Sequence, residues 1–543
     1  FGYEIDLIGE PQTVTINNTI NVQGAPAIVS GKYEAMYIGG FAGSGNTGGN
    51  VNYSGGSGIN AGNSLYANIG GIIGYSSSSG LDFTKLSVSN TTDGVITFQG
   101  TGVRPWVGIL LGYNTTATIA PEIVALTIDG NTGISGKFAV DTASATGDNC
   151  AGGLIGRVQT TGTVVIKDVA VTEDISLSAQ NYAGGFIGYL QGTGATLKID
   201  DSASNVTLPS PVSGKTGMLI GRSDVEPQYT GSAYIKAGDI AAVGGKTDNQ
   251  VIAIDVTGLT GEKAYGDQIA LFADTLPAAL AVAPEDTFSL TKDGKLSLDK
   301  VGTAKASFTW NGVSLYTSED ITVNAKELNN DNIIITGVNS SYPVTRSEIR
   351  PDIQIVNKDN GKALTADDYD VAYTDNTEVG TAVINITFKG NYTGSASTSF
   401  EIAATENTLM VTGEGYKGTY DKAAHGIIVT VPEGTTVYYN KDGGDDYSLS
   451  AEDVAEINAG TYVVYFKAEK DGKEVKGSEM IIIEKAPLTI TANNASARVN
   501  GEMPMFSYSQ TGLIDGDAWI TEPKLTTSAT DTSKAGTYAI KVS

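Results

Sequence analysis

The chain has 543 residues, of which 60 are acidic and 34 basic, so its formal net charge is −26. This charge argues against binding to nucleic acid, whose phosphates need Lys and Arg, and against docking on anionic lipid. The 68 glycines and the abundance of Thr, Asn, Ser, Val, Ile and Tyr favour strands and turns over helices, which predicts an all-β fold.

A short glycine-rich phrase occurs six times in the first 222 residues, as YIGGFAG, IGGIIGY, VGILLGY, AGGLIGR, AGGFIGY and TGMLIGR. Successive copies are 31, 38, 44, 32 and 33 residues apart, measured between their final glycines Gly43, Gly74, Gly112, Gly156, Gly188 and Gly221. β-Branched stretches with Asn, Asp and Gly turns lie between the phrases. A repeat of this length is typical of a solenoid, so we predict a β-solenoid over residues 1–224.

Stacked coils would explain the repeated phrase. We expect Ile72, Leu110, Leu154, Phe186 and Leu219 to form one interior ladder. The glycines are expected to adopt positive φ at corners and to let neighbouring backbones approach closely. Replacement of Gly185 by Val should then destabilise the local coil, because a β-branched residue cannot adopt φ > 0 cheaply.

The phrase resembles the GLUG-type repeat of bacterial surface and secreted proteins, which implies a β-helical stalk. VGILLGY and TGMLIGR lack the second glycine and are divergent copies. A glycine-rich nucleotide-binding loop is excluded, because no phrase opens a helix or carries the phosphate-binding lysine.

A second phrase follows, in VGTAKASFTW, VGTAVINITF, AGTYVVYFKA and AGTYAIKVS. Its glycines Gly302, Gly380, Gly460 and Gly536 are 78, 80 and 76 residues apart. Units of this length with alternating strands indicate Ig-like β-sandwiches. Because the linkers between them are short and restrict bending, we expect the sandwiches to form a rod. The predicted boundaries are 225–326, 327–403, 404–485 and an incomplete 486–543, and residues 225–250 either cap the solenoid or belong to the first sandwich.

Three of these units resemble modules of surface proteins. The stretch 334–402, with DYDVAYTDN, is similar to sandwich repeats of Gram-positive surface proteins. GYKGTYDKAAHGIIVTV (415–431) resembles the start of YDG-type adhesin repeats, and APLTITANNASARVNGEMPMFSYSQTG opens a unit similar to the MBG-type repeat of filamentous adhesins.

The chain starts without Met or a signal-peptide core, so we expect a signal and an anchor outside it. Members of the MBG type continue with a last strand, and without that strand an unpaired edge would accept a strand from another chain. The expected donor is FGYEIDLIG, in which Phe1, Tyr3, Ile5 and Leu7 alternate. The alternative is that the chain is a piece of a longer array.

Catalytic signals are weak. The single histidine, His425, and the single cysteine, Cys150, are interpreted as structural. Trp106, Trp310 and Trp519 are too dispersed in sequence to indicate a sugar platform. Carboxylates of a glycosidase pair would have to face one cleft, and the candidates mostly occupy turns: Asp82, Asp93, Asp129, Asp141, Asp148, Asp168, Glu173, Asp174, Asp200 and Asp201.

Calcium is the one metal that the sequence allows. KDGGDD offers Asp442, Asp445 and Asp446, and LNNDN (328–332) offers oxygen ligands at a predicted junction. Neither has the ligand spacing of a calcium-binding loop, so a hairpin turn and a linker are the competing interpretations.

These features predict a non-enzymatic adhesin or stalk segment on a bacterial cell surface, without nucleic acid or membrane as partner. Its expected partners are host glycoprotein, polysaccharide, neighbouring cells or other copies of itself. The alternatives are a self-assembling subunit of an extracellular fibre or sheath, and a polysaccharide-active solenoid enzyme.

Overall fold

The protein was analysed as a computed structural model, and its regular structure is almost entirely β. The predicted donor residues Phe1, Tyr3, Ile5 and Leu7 lie outside the described part of the chain. Two compact units are present, residues 1–324 and 325–543. The structure describes residues 13–17, 20–23, 28–29, 32–33, 36–44, 50–54, 58–62, 67–84, 86–116, 119–130, 132–246, 251–273, 275–345, 347–405, 408–527, 529–531, 533 and 535–542.

In the first unit, each glycine phrase supplies one strand to each of two six-stranded parallel sheets, and neighbouring strands come from successive phrases. Sheet A contains Met36–Gly39, Ala67–Gly70, Trp106–Gly108, Cys150–Gly152, Tyr182–Gly184 and Thr216–Gly217. Sheet B contains Ala42–Ser44, Ile73–Ser76, Leu111–Thr116, Ile155–Thr160, Ile187–Gln191 and Ile220–Ser223.

The stretches between phrases form four further parallel sheets. Sheet C contains Leu81–Asp82, Val124–Asp129, Thr163–Lys167, Thr196–Asp200 and Gln228–Thr230, and sheet D contains Thr13–Ile16, Asn50–Tyr53, Ser87–Asn90 and Gly133–Ser135. Sheet E contains Ile20–Gln23, Gly58–Gly62, Ile96–Gly100, Phe138–Thr142 and Ile175–Ala179, and sheet F contains Ala170–Val171, Ala203–Ser204, Ala233–Ile235 and Ile252–Ile254. Ile28–Val29 and Lys32–Tyr33 form a separate antiparallel pair. We call the described residues between 13 and 254 the repeat stack.

The segment that the sequence left undecided, 225–250, continues the repeat stack in its described part. Its Gln228–Thr230 strand pairs in parallel with Thr196–Asp200, and Ala233–Ile235 pairs with Ala203–Ser204. The amide of Met218 also donates to the carbonyl of Ala241. These residues therefore add a further layer below the last glycine phrase.

The predicted interior ladder is present. The amides of Ile72, Leu110, Leu154 and Phe186 each donate to the carbonyl of the next member, at 3.2, 2.9, 3.1 and 2.7 Å. The amide of Leu219 continues the series to the carbonyl of Ala242 at 2.9 Å. All five side chains are fully buried in one continuous core.

Of the two roles that the sequence predicts for the phrase glycines, positive φ is wrong and close approach of neighbouring backbones is confirmed. Gly112, Gly156, Gly188 and Gly221 do not adopt positive φ. Instead they stack on one another, because a Cβ at each would lie 2.5–2.7 Å from the carbonyl oxygen of the final glycine of the preceding phrase. The sequence thus requires glycine at these positions for close backbone approach between layers.

The rest of the first unit is a largely antiparallel sandwich with a 3₁₀ turn at Thr257–Leu259, in which Glu262–Ala264 pairs in parallel with Val313–Asn324. One sheet contains Glu262–Ala264, Leu280–Ala283, Gly302–Trp310 and Val313–Asn324, and the other contains Gln268–Ala270, Phe288–Leu290 and Lys295–Leu298. It packs on the end of the repeat stack: the indole of Trp310 donates to the carbonyl of Asp201 at 2.8 Å, and the Asn205 amide to the carbonyl of Leu315 at 2.7 Å.

The second unit contains pairs of sheets whose strands are mostly antiparallel. The strands Lys326–Leu328, Ser341–Pro343 and Tyr416–Thr419 instead pair in parallel with a neighbour. The first pair comprises Lys326–Leu328, Ser341–Pro343, Tyr369–Thr374, Gly380–Phe388 and Tyr392–Ala403 with Ile333–Thr336 and Gln354–Asn357. The second comprises Tyr416–Thr419, Thr436–Asn440, Gly460–Lys470 and Lys473–Glu484 with Thr412–Glu414 and Ile428–Thr430. The last comprises Thr489–Ala492 with Tyr508–Thr511, and Leu525–Thr527 with Ile540–Val542.

Three of the four second-phrase glycines, Gly302, Gly380 and Gly460, are the first residues of long strands. After Gly536 the strand begins later, at Ile540. In the described part of the chain, no helix has the length and apolar character needed to cross a membrane.

Candidate functional site: an arginine–aromatic ladder

Two columns of large side chains flank the glycine phrases, one in sheet A and one in sheet B. The sheet A column is Tyr37, Asn68, Trp106, Cys150 and Tyr182, and the sheet B column is Tyr75, Tyr113, Arg157, Tyr189 and Arg222. Each sheet B residue comes directly after the final glycine of its phrase. The parallel register therefore places equivalent phrase positions above one another.

The aromatic rings of both columns contact each other along the repeat stack. Tyr37 stacks on Tyr75 with ring centroids 4.3 Å apart, and Tyr75 lies 5.7 Å from Tyr113. Trp106 packs on Tyr113 at 4.6 Å. Such pairs add stabilisation to the area that they bury.

Arg157 continues the row of stacked rings with its guanidinium group. Its guanidinium lies 4.4 Å from the ring centroid of Trp106 and 4.8 Å from that of Tyr189. It also donates to Asp148 Oδ2 at 3.2 Å and to Gln191 Oε1, and its side chain is only 9% exposed. A guanidinium suits this position because its planar faces can stack on aromatic rings while the N–H groups at its edges donate hydrogen bonds.

Arg222 ends the series and is much more open. Its guanidinium lies over Tyr189 at 4.8 Å and over Tyr182 at 5.3 Å, while its side chain is 46% exposed. It donates to the hydroxyl of Tyr182 at 2.6 Å, and this bond raises the pKa of Arg222. We call Tyr37, Tyr75, Trp106, Tyr113, Arg157, Tyr182, Tyr189 and Arg222 the arginine–aromatic ladder.

Two titratable groups beside these arginines, Tyr189 and Cys150, are neutral near pH 7. Burial raises the pKa of Tyr189 to about 12, and the neighbouring carboxylate of Asp224, 3.1 Å from its hydroxyl, raises it as well. Burial also raises the pKa of the Cys150 thiol, against the opposing effect of Arg157. A buried neutral thiol is a weak nucleophile, so Cys150 acts here as a small packing residue, as the sequence predicts.

The contacts within the ladder determine which of its surfaces a ligand can reach. Most ring faces are covered by a neighbouring ring or guanidinium, so a ligand meets ring edges and the guanidinium of Arg222. The ladder therefore ties adjacent repeats together and exposes a mixed aromatic and cationic strip.

Sequence reasoning missed the ladder. It treated the three tryptophans as too dispersed to indicate a sugar platform, and so gave Trp106 no role, although Trp106 is a ladder member. Trp310 lies instead in the sandwich core, and Trp519 packs edge-on against Tyr508. The available signal was the residue after each final glycine, which is Tyr or Arg in all phrases but the first.

Several of the carboxylates considered for catalysis have structural roles. Asp82 and Asp141 each accept a backbone amide two residues further on, at 2.9 Å. Asp168 and Asp201 adopt positive φ, which is typical of Asp in turns. Asp148 pairs with Arg157 in the ladder.

The calcium candidates Asp442, Asp445 and Asp446 lie on an exposed loop after the strand Thr436–Asn440. Asn440 organises this loop, because its Nδ2 donates to the carbonyl of Asp446 at 2.7 Å and its Oδ1 accepts the amide of Asp442. Within the described ranges, no group of three or more His, Cys, Asp or Glu is placed to hold a metal ion. In LNNDN, the amide of Asn329 donates to Asn332 Oδ1 at 2.8 Å, as in a turn.

His425 lies in an isolated β-bridge to Glu456. Its ring stacks on Tyr416 at 3.9 Å, and its Nε2 lies 2.8 Å from Asp421 Oδ1. These contacts fix the start of the module and support the structural interpretation of His425.

Comparison with protein families finds that residues 488–543 match the MBG domain (YGX type). Among curated proteins, none matches the chain. This family match agrees with the resemblance seen in the sequence of the last unit.

Solved structures with local similarity include Drosophila N-cadherin EC1-3, at 9% identity and a TM-score of 0.16 over 42% of this chain and 100% of that chain. Extracellular domains 3-5 of Drosophila OTK match at 12% identity and a TM-score of 0.15, over 43% and 97%. A SusE-like surface located polysaccharide binding protein from the Bacteroides thetaiotaomicron heparin utilisation locus matches at 10% identity and a TM-score of 0.11, over 43% and 54%. Similarities of this size carry no argument about function. At the level of sequence, this chain is similar to a named family in residues 488–543, the MBG domain.

Proposed function

We propose that the chain is a non-enzymatic adhesin or stalk segment of a bacterial cell surface. In this proposal the repeat stack is a GLUG-type β-solenoid, the following modules are Ig-like sandwiches, and the protein works outside the cell. Its partners would be host glycoprotein, polysaccharide or neighbouring cells.

The observation that carries the proposal is the repeated register of the first unit. Phrases 31–44 residues apart place equivalent residues in line, both in the interior ladder and in the arginine–aromatic ladder. Such a stack forms a long, regular surface without a need for disulfides, which suits a projecting element. The MBG match at residues 488–543 supports the same class of protein.

Binding to immobilised mucin, pectin, glucan and glycoproteins tests the proposal, with release of reducing sugar measured in the same wells. Saturable binding without sugar release is the expected result. Arg222→Ala is the matched variant, because it removes the exposed guanidinium of the ladder and should weaken binding to an anionic glycan. Release of reducing sugar would instead support the solenoid-enzyme alternative.

A second candidate, self-assembly into a fibre, is favoured by a groove in the MBG-type module. The groove has a volume of about 1080 Å³ and is lined largely by residues 492–499 and 535–540. A strand of a second copy laid in this groove would pair with exposed backbone. Sedimentation over a concentration series should show growing particles that disappear on deletion of residues 1–9, and a constant monomer would contradict this candidate.

A further inference from the structure

The second unit contains a direct contact between its first two modules, residues 327–403 and 404–485. The amide of Gly337 donates to the carbonyl of Ser478 at 2.7 Å, and that of Ser340 donates to the carbonyl of Lys476 at 2.6 Å. Between them, Asn339 Nδ2 donates to the carbonyl of Val411 at 2.8 Å in a buried bond. We call this set of contacts the module joint.

A cleft of about 400 Å³ lies beside the module joint. It is lined from both modules, and Glu479 follows the joint residue Ser478 directly on the strand Lys473–Glu484. Oε1 of Glu479 lies against Gly413, since a Cβ at Gly413 would come within 2.6 Å of it. The lack of a side chain at Gly413 therefore makes room for the carboxyl group.

The titratable groups around Glu479 include two further carboxylates, one lysine and two tyrosines. Asp352 enters from the first module and Glu414 from the second, with Lys417, Tyr342 and Tyr416 completing the titratable lining. Burial, followed by repulsion from Asp352 and Glu414, raises the pKa of Glu479 to about 7. Burial also raises the pKa of Tyr342 to about 12, so this phenol stays neutral and accepts the amide of Asn339 at 2.9 Å.

We propose that the module joint is a proton-controlled contact, closed while Glu479 is neutral and loosened when Glu479 ionises beside Asp352 and Glu414. In the closed state Glu479 is neutral and partly buried against Gly413. Once it is ionised, three carboxylates border one small cleft, and separation of the modules lets water solvate them.

The direction of the pH effect follows from the raised pKa. The ordinary pKa of a glutamate is 4.5, and that of Glu479 in the closed joint is about 7. Between these two pH values, Glu479 is protonated in the closed joint and ionised in the open joint. Closure is therefore favoured at acidic pH, weakens as the pH rises through this window, and stays weak above it.

Hydrogen exchange of the intact chain tests the proposal through the amides of Gly337 and Ser340, which donate across the joint. After correction for intrinsic exchange, we expect their protection to fall roughly three- to tenfold between about pH 5.5 and pH 8. A fall of this size is expected when one partly exposed carboxyl group ionises. Glu479→Gln should keep high protection at both pH values, because the side chain remains neutral and of equal size.

The matched control is Glu469→Gln, which changes a carboxylate on the adjacent strand whose pKa is lowered and not raised. This variant should retain the pH dependence of the native chain. Asp352→Asn should move the midpoint to lower pH, because it removes a like charge from Glu479. Equal protection at both pH values in the native chain, or an unchanged pH dependence in Glu479→Gln, would overturn the proposal.

Discussion

Gly185 has a steric role that differs from the positive φ expected from the sequence. A Cβ at this position would lie 2.3 Å from the carbonyl oxygen of Met218 and 2.3 Å from Ser204 Oγ. Gly185→Val should therefore lower the free energy of unfolding of the repeat stack by about 1–3 kcal/mol, through overpacking. Gly194→Val is the control, since its Cβ would lie an ordinary 3.7 Å from the nearest atom. Equal thermal midpoints for the two variants would refute the packing role.

The two ladder arginines should differ in their contributions to stability. Arg157 is 9% exposed between two rings and pairs with Asp148, so Arg157→Ala should cost roughly 2–3 kcal/mol in denaturant unfolding. Arg222 occupies the same column but is 46% exposed, so Arg222→Ala should cost only about 1 kcal/mol. An equal loss for both variants would mean that burial in the ladder contributes nothing.

At the scale of elements, the sandwich of the first unit acts as a cover for the end of the repeat stack. Trp310 is fully buried and joins Ala203, Ala233 and Ile254 in one core cluster. Trp310→Ala should destabilise by about 3–5 kcal/mol and reduce hydrogen-exchange protection in the strand Ala233–Ile235 as well as in the sandwich. Unchanged protection of that strand would show that the two parts unfold independently.

The repeat elements also show how far sequence reasoning reaches. The phrase spacing predicts the interior ladder of Ile72 to Leu219, because equivalent positions in regular repeats align once the strands pair. The same reasoning could not find the contact of Arg157 with Trp106, since partners 51 residues apart are joined only by the register of two sheets. For the phrase glycines it correctly predicted close backbone approach between layers, but it also predicted a positive φ that Gly112, Gly156, Gly188 and Gly221 do not adopt.

At the scale of the whole molecule, the chain divides at Asn324 and Ala325 into two compact units, each with cores of its own. The core of the first extends from Ile38 to Val251 and is continued by the cluster around Trp310, whereas the second has a cluster around Phe466. Because these cores use residues of one unit only, fragments 1–324 and 325–543 should each fold when produced separately. Circular dichroism should show a β spectrum and a cooperative thermal transition for each fragment. A fragment that lacks such a transition would show that its core depends on the other half of the chain.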